Sequence, residues 1–237
     1  MDPPDNADRW PPPRTESSAG REDRGDLSTD SIVEAAMRVA MRDSLDALSL
    51  RKVARELDRA PMSLYRHISD VNNLVALVVE RLVAQMQVTD HGEDWRGTLT
   101  DAASALRALL TQHPGIVAVV MRSGITSPAL LQHINTVFGA LVRSGLPDDE
   151  VVEAHAALMA LTFGSAVLRR SVDEAFPDAT EDAMAHRTFL QQLRDAGGAD
   201  HTHIAAVADA WLAMDHDVAF RFALDLLLDG IAGRTGT

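Results

Sequence analysis

Leu48-Ser49-Leu50-Arg51-Lys52-Val53-Ala54-Arg55-Glu56-Leu57-Asp58-Arg59-Ala60-Pro61-Met62-Ser63-Leu64-Tyr65-Arg66-His67-Ile68 reads as two short helices joined by a tight turn. In the first, from about Ser49 to Leu57, the residues Leu50, Val53, Ala54 and Leu57 recur at helical spacing and face inward. Asp58-Arg59-Ala60 supplies the turn. Pro61 then suits the first turn of the second helix, where its missing N–H is not needed. This is helix-turn-helix geometry.

Projecting the second helix at about 100° per residue, with Leu64 inward at 0°, puts Ile68 near roughly 40° and Pro61 near roughly 60°. Met62 and Arg66 fall at about 160° and about 200°, opposite the core, with Ser63 and Tyr65 on either shoulder. Arg66 has the fork to donate to guanine, and Met62 the apolar bulk to touch a thymine methyl. Tyr65, Ser63 and His67 are placed for phosphates, which set register rather than sequence.

Charge agrees locally and disagrees globally. The chain carries −13 over 237 residues. The window Ser49–Ser69, however, holds Arg51, Lys52, Arg55, Arg59 and Arg66 against only Glu56 and Asp58, a net of +3 that leaves −16 elsewhere. Lys52 is the only lysine in the protein. A small basic surface on an acidic body suits a DNA-facing head, because phosphate repels the remainder.

Working outward, Ser28 or Thr29 caps a helix carrying Ile32, Ala35, Ala36, Val39 and Ala40 on one face. Ser69 or Asp70 caps a longer helix after Ile68, holding Leu74, Val75, Val78, Leu82 and Val83. Residues 1–26 include Trp10-Pro11-Pro12-Pro13, lack apolar periodicity, and read as a disordered arm. Arg14, Arg21 and Arg24 of this arm are candidates for the DNA backbone or minor groove. Downstream, helices are expected over about 94–112, 114–122, 127–144, 148–172, 180–195 and 203–232. Phe176–Asp182 and Ala196–Asp200 read as loops. Gly145-Leu146-Pro147 ends one helix, and Asp148, Asp149 and Glu150 favour the start of the next.

The fold class is therefore all-α: a disordered arm over 1–26, a three-helix DNA-binding domain over 27–87 and a larger helical domain over 88–237. Aromatic content is only 4 % against 46 % hydrophobic, so sheet-forming runs are scarce and Ala and Leu favour helices. No stretch reads as long enough to cross a bilayer, and the polar N-terminus does not read as a signal peptide; a cytoplasmic location is expected. With no cysteine there is no disulfide or thiolate site.

The segment from Leu27 to about Gln87 resembles the DNA-binding domain of the tetracycline-repressor (TetR) family, through Leu-Ser-Leu-Arg-Lys-Val-Ala and Met-Ser-Leu-Tyr-Arg-His. Asp94-Trp95-Arg96, Leu109–His113, Arg143–Leu146, Leu161–Gly164 and Phe222–Gly230 are similar to the C-terminal domain of the tetracycline repressors. The resemblance implies DNA contacts at Ser49, Arg51, Pro61, Met62, Ser63, Tyr65, Arg66, His67 and Val71. Asp58 stands where the family usually has glycine, and aspartate tolerates the left-handed conformation better than most residues. Val71 replaces a common phosphate-gripping lysine, leaving Asn72 or Asn73 as weak substitutes.

The resemblance further implies a homodimer through helix 148–172 and the last helix, near 216–232, and a small-molecule effector that releases DNA by shifting the spacing of the two heads. The family's magnesium-binding histidine and acid fall here on Met121 and on Arg169 or Arg170. Arginine repels a divalent cation and methionine is a poor ligand for a hard one. No metal or other cofactor is expected. The expected pocket is largely apolar, with Gln87, Leu106, Met121, Met159 and Phe163 as candidate lining residues.

An enzyme is the contrasting class. The chain has no nucleophile elbow, no His-Glu-x-x-His, no phosphate-cradling glycine loop and no paired carboxylates in an apolar setting. His201 and His203 are two apart and point to different sides of a helix, so a metal site shared with His216 is not expected; Glu153 and His155 have the same spacing. The alternative reading is a helical ligand-binding dimer without specific DNA recognition.

Overall fold

The computed structural model describes residues 27–113, 115–117, 119, 127–175, 188, 191–192 and 202–236. The expectations for the arm, for Met121, for the two loops, for His201 and for most of the 114–122 and 180–195 helices lie outside these residues. Every regular element among the described residues is helical, and these residues form two compact units: 27–86 with 112–135, and 87–111 with 136–236. The described residues between 112 and 135, placed by sequence in the C-terminal domain, thus cluster with the first unit.

The first unit begins with α1 (Thr29–Asp43), α2 (Leu50–Glu56), α3 (Pro61–Leu64) and α4 (Val71–Ala84). Ser28 caps α1 in a reciprocal capping box with Ser31, and Asp70 caps α4 by accepting from Asn73 N–H; each supplies an acceptor to a donor the helix leaves unpaired. Helix α1 packs on α2 and α4. Ile32, Val39, Leu64, Ile68, Leu74 and Leu82 are fully buried. Each contributes about 1.5–3 kcal/mol of burial, an upper figure because the unfolded chain is already partly compact.

The second unit holds nearly all of α5 (Trp95–Gln112), the part of α6 (Pro128–Arg143) from Thr136 on, α7 (Asp148–Ala175), α8 (Thr202–Leu212) and α9 (His216–Thr235). Leu99, Leu141, Leu158, Leu224 and Leu228 centre its core, and α7 packs along α9. Gly145, at φ 90°, turns the chain from α6 toward α7, and Asp148, Asp149 and Glu150 occupy the first turn of α7.

Two expectations are corrected. The helix anticipated over 203–232 is broken between Leu212 and His216. There the Asp215 side chain accepts from the N–H groups of Asp217, at 2.6 Å, and Val218, at 3.0 Å, and starts a new helix as a short carboxylate does. In addition, Asp148–Ser171, with a mean hydropathy of 1.6, is long and apolar enough to pass for a membrane span by length and composition. The reason is that α7 is apolar on more than the face it turns to its own core: Val152, Val167 and Leu168 are exposed.

Candidate nucleic-acid interface

Everything about the interface follows from how the chain reverses after α2. The Arg59 N–H donates to the Ala54 carbonyl at 2.9 Å, and the Asp58 N–H to that of Arg55 at 3.2 Å. This pair of bonds is a Schellman closure, and it requires the residue between helix end and exit to be left-handed. That residue is Asp58, at φ 51°, as the substitution for glycine anticipated. The turn delivers Ala60 in extended conformation as N-cap, with Pro61 opening α3.

Regular α-helix in α3 stops at Leu64, short of the length used for the projection, and continues as a tightened turn. The N–H groups of His67 and Ile68 both donate to the Leu64 carbonyl at 2.9 Å. The side chains nonetheless divide sharply. Leu64 and Ile68 are fully buried, while Met62 is 75 % and Tyr65 50 % exposed; Arg66 and His67 are exposed as well. Pro61, expected toward the inner side, is exposed. Ser63 is half-buried and its hydroxyl donates to the Ala60 carbonyl at 2.7 Å. The lone pairs of its oxygen are still available as acceptors.

On the flanks, Ser49 is the N-cap of α2 and accepts from the Lys52 N–H at 3.3 Å. Arg51, two residues further on, is exposed. Val71 opens α4 and is 36 % exposed.

The cations are not equivalent. Lys52 Nζ lies 3.0 Å from Asp43. Glu56 receives Arg38 at 3.0 Å and Arg42 at 3.1 Å. Hydrogen bonds from Arg38 and then Arg42 hold the Glu56 carboxyl below its usual range, and those from Lys52 and then Arg42 do the same for Asp43. Both acids stay ionised, so the Lys52 charge is largely answered within the head. Apart from the adjacent Arg42 and Asp43, these pairs have no local sequence signal, because the partners lie on different helices.

In the second unit, Leu106 is buried, Met159 and Phe163 are half-buried and Gln87 is exposed. Met121 lies outside the described residues. Arg169 reaches Asp217 at 3.0 Å, and among the described residues no group of three His, Asp or Glu side chains is arranged to hold a metal ion. His203 is exposed on α8. Sequence reasoning missed Arg107, whose side chain is 12 % exposed. It donates to Ser165 Oγ and to Asp217 at 2.8 Å each and lies over the Phe220 ring at 4.7 Å. A lone arginine on an apolar helix face is the only signal that pointed to it. An open groove of about 310 Å³ runs between α7 and α9, floored by Ala154, Ala157, Leu226 and Gly230. None of the four expected pocket residues that are described, Gln87, Leu106, Met159 and Phe163, lines it.

Residues 89–235 match the family model described as tetracyclin repressor-like, C-terminal domain. The HTH-type transcriptional repressor DrrR1 of Streptomyces coeruleorubidus is 29 % identical over 212 residues, covering 86 % of this chain and 77 % of that protein. The crystal structure of Streptomyces coelicolor ActR in complex with actinorhodin superposes with a TM-score of 0.76 at 20 % identity, covering 90 % of this chain and 99 % of that one. That of BioQ with its natural double-stranded DNA operator gives 0.58 at 21 %, covering 88 % and 99 %. At these identities the structural likenesses speak to the fold.

Proposed function

The chain belongs to the tetracycline-repressor family, and from that premise we propose that it is a homodimeric repressor that binds a palindromic DNA operator and is released from it by a small, largely apolar molecule. The observation that carries the reading is the division of one short segment into buried Leu64 and Ile68 and exposed Met62 and Arg66. The core holds the segment rigidly while an arginine fork and an apolar side chain project from it, which is what reading base edges requires. Ser49, Arg51, Pro61, Ser63, Tyr65, His67 and Val71 complete the proposed contact set. The relatives named above support it: one is a transcriptional repressor, one was crystallised with a small molecule and one with operator DNA.

Dimerisation is proposed through α7 and α9, whose exposed Val152, Leu168, Val218, Phe222 and Leu226 form an apolar surface that water disfavours and a second copy would cover. The effector is assigned to the second unit, with Gln87, Leu106, Met159 and Phe163 as pocket residues and no metal. A repressor of this kind works in the compartment that holds the DNA, the cytoplasm of a bacterium.

The test is a titration of DNA flanking the protein's own gene at several salt concentrations, with the Met62→Ala/Arg66→Ala double variant alongside. Saturable binding to a palindrome, a steep salt slope and a large loss in the variant are expected. Weak binding that is equal on unrelated DNA and indifferent to the substitutions, with nothing enriched in a random-sequence selection, would instead favour a ligand-binding dimer without DNA recognition.

A further inference from the structure

The first turn of α6 has a complete donor account, and one entry in it comes from far away in sequence. Ser127 is fully buried and stands in the capping position. Pro128 has no N–H to satisfy. The Leu130 N–H donates to Ser127 Oγ at 3.2 Å and the Leu131 N–H to the Ser127 carbonyl at 2.9 Å. The Ala129 N–H goes to Glu80 of α4, at 3.2 and 3.3 Å from the two carboxylate oxygens. A negative group at a helix N-terminus is favoured by the unpaired N–H groups and by the helix dipole. Here that group is supplied by the helix that directly follows the recognition segment.

A second contact shows how closely this stretch of chain sits on the head. Gly115 adopts φ +87°, and a Cβ placed on it would lie 2.8 Å from Asp46 Oδ1 in the α1–α2 connection. Segment 112–135 thereby belongs to the DNA-binding unit, although α6 continues without a break into residues of the second unit.

We propose that Glu80 is the positioning residue that makes α4, and with it the recognition segment, follow the start of α6. This rests on the regulator reading above and deepens it by naming the side chain that transmits the signal. A carboxylate bound to a single backbone N–H is a connection that one substitution removes without opening the core. Its removal leaves the Ala129 N–H without that acceptor and takes away this tie between α4 and α6.

The experiment is hydrogen exchange read by mass spectrometry on the full-length protein, alone and with a DNA fragment obtained by random-sequence selection against it. In the wild type, DNA is expected to slow exchange both at 61–68 and at 128–131. In Glu80→Ala without DNA, exchange at Ala129 should rise about 5-fold, the usual effect of losing a helix N-terminal acceptor. With DNA, the variant should still be slowed at 61–68 but no longer at 128–131. Glu80→Gln keeps one acceptor oxygen and should restore the slowing at 128–131, which a merely destabilised fold would not do. The proposal is overturned if the wild type shows no response at 128–131, or if Glu80→Ala keeps the full response. If no fragment is selected and 61–68 never responds, it is the regulator reading that has failed, and this inference falls with it.

Discussion

Arg107 and Asp217 form an ion pair at 2.8 Å that joins the middle of α5 to the first turn of α9. Asp217 is held well ionised, first by the hydrogen bond from Arg107 and further by the charges of Arg107 and Arg169. Arg107 also serves Ser165 on α7 and covers the Phe220 ring, so three helices meet on one guanidinium. Arg107→Ala should destabilise the protein by about 1–3 kcal/mol, because it removes charged hydrogen bonds and packing together. Arg107→Lys should recover only part of this, since an ammonium cannot reproduce the planar fork. Urea denaturation of the three proteins measures the difference; equal stability of wild type and Arg107→Ala would refute it.

The left-handed Asp58 makes a second prediction. Glycine carries no Cβ penalty at φ 51°, so Asp58→Gly should be close to neutral. Asp58→Val places a β-branched residue where it is strained and should cost about 1–2 kcal/mol. A thermal melt that ranks valine level with glycine would count against the turn geometry.

Lys52 and Arg51 are neighbours in sequence, but only Arg51 belongs to the proposed DNA contacts. Arg51→Ala should lower the slope of log affinity against log salt by roughly 1, as loss of one phosphate contact does. Lys52→Ala should leave that slope nearly unchanged, because its ammonium pairs with Asp43. DNA titrations at four salt concentrations separate the two, and equal slopes for both variants would contradict the assignment.

On the proposed dimer surface, Phe222 is 65 % and Leu226 57 % exposed on α9. A charge at either position would be desolvated by a partner, so Phe222→Asp with Leu226→Glu should shift the sedimentation profile from dimer to monomer while leaving the helical circular-dichroism signal in place. A wild type that sediments as a monomer would remove the proposal altogether.

His155 stacks on Phe138 with ring centroids 4.6 Å apart, and partial burial lowers its pKa from the usual 6.5. Burial lowers that of His113 in the same direction. The unfolded chain therefore takes up protons near pH 6.5 that the folded chain refuses. Stability is fully present above about pH 6.5 and declines as pH falls toward the lowered folded values. His155→Phe keeps an aromatic stack and removes one titrating group, so its denaturation midpoint should change less than the wild type's between about pH 7.5 and about pH 5.5. An unaltered pH profile would exclude His155 as a contributor.

Much of this was legible in the chain because the signals are local. The periodicity of Leu50, Val53, Ala54, Leu64 and Ile68 places the apolar face within one or two turns. Asp58 sits next to the bonds it completes, and Ser28 and Asp70 cap helices that begin at the following residue. The break at Asp215 is local too, but the surrounding run rich in Ala and Leu carries a stronger helical signal than a single short carboxylate. The ion pairs Lys52–Asp43, Arg42–Glu56 and Arg107–Asp217, and the Glu80–Ala129 bond, were not legible. Each needs its two partners to be brought together by helix packing.

Sequence alone therefore determined the helical class, the helix-turn-helix and the side chains it displays, because those depend on interactions within a few residues. Only the tertiary structure decided that segment 112–135 clusters with the DNA-binding unit, and which of its charges are already answered by neighbours. Those depend on where helices distant in sequence come to rest against each other.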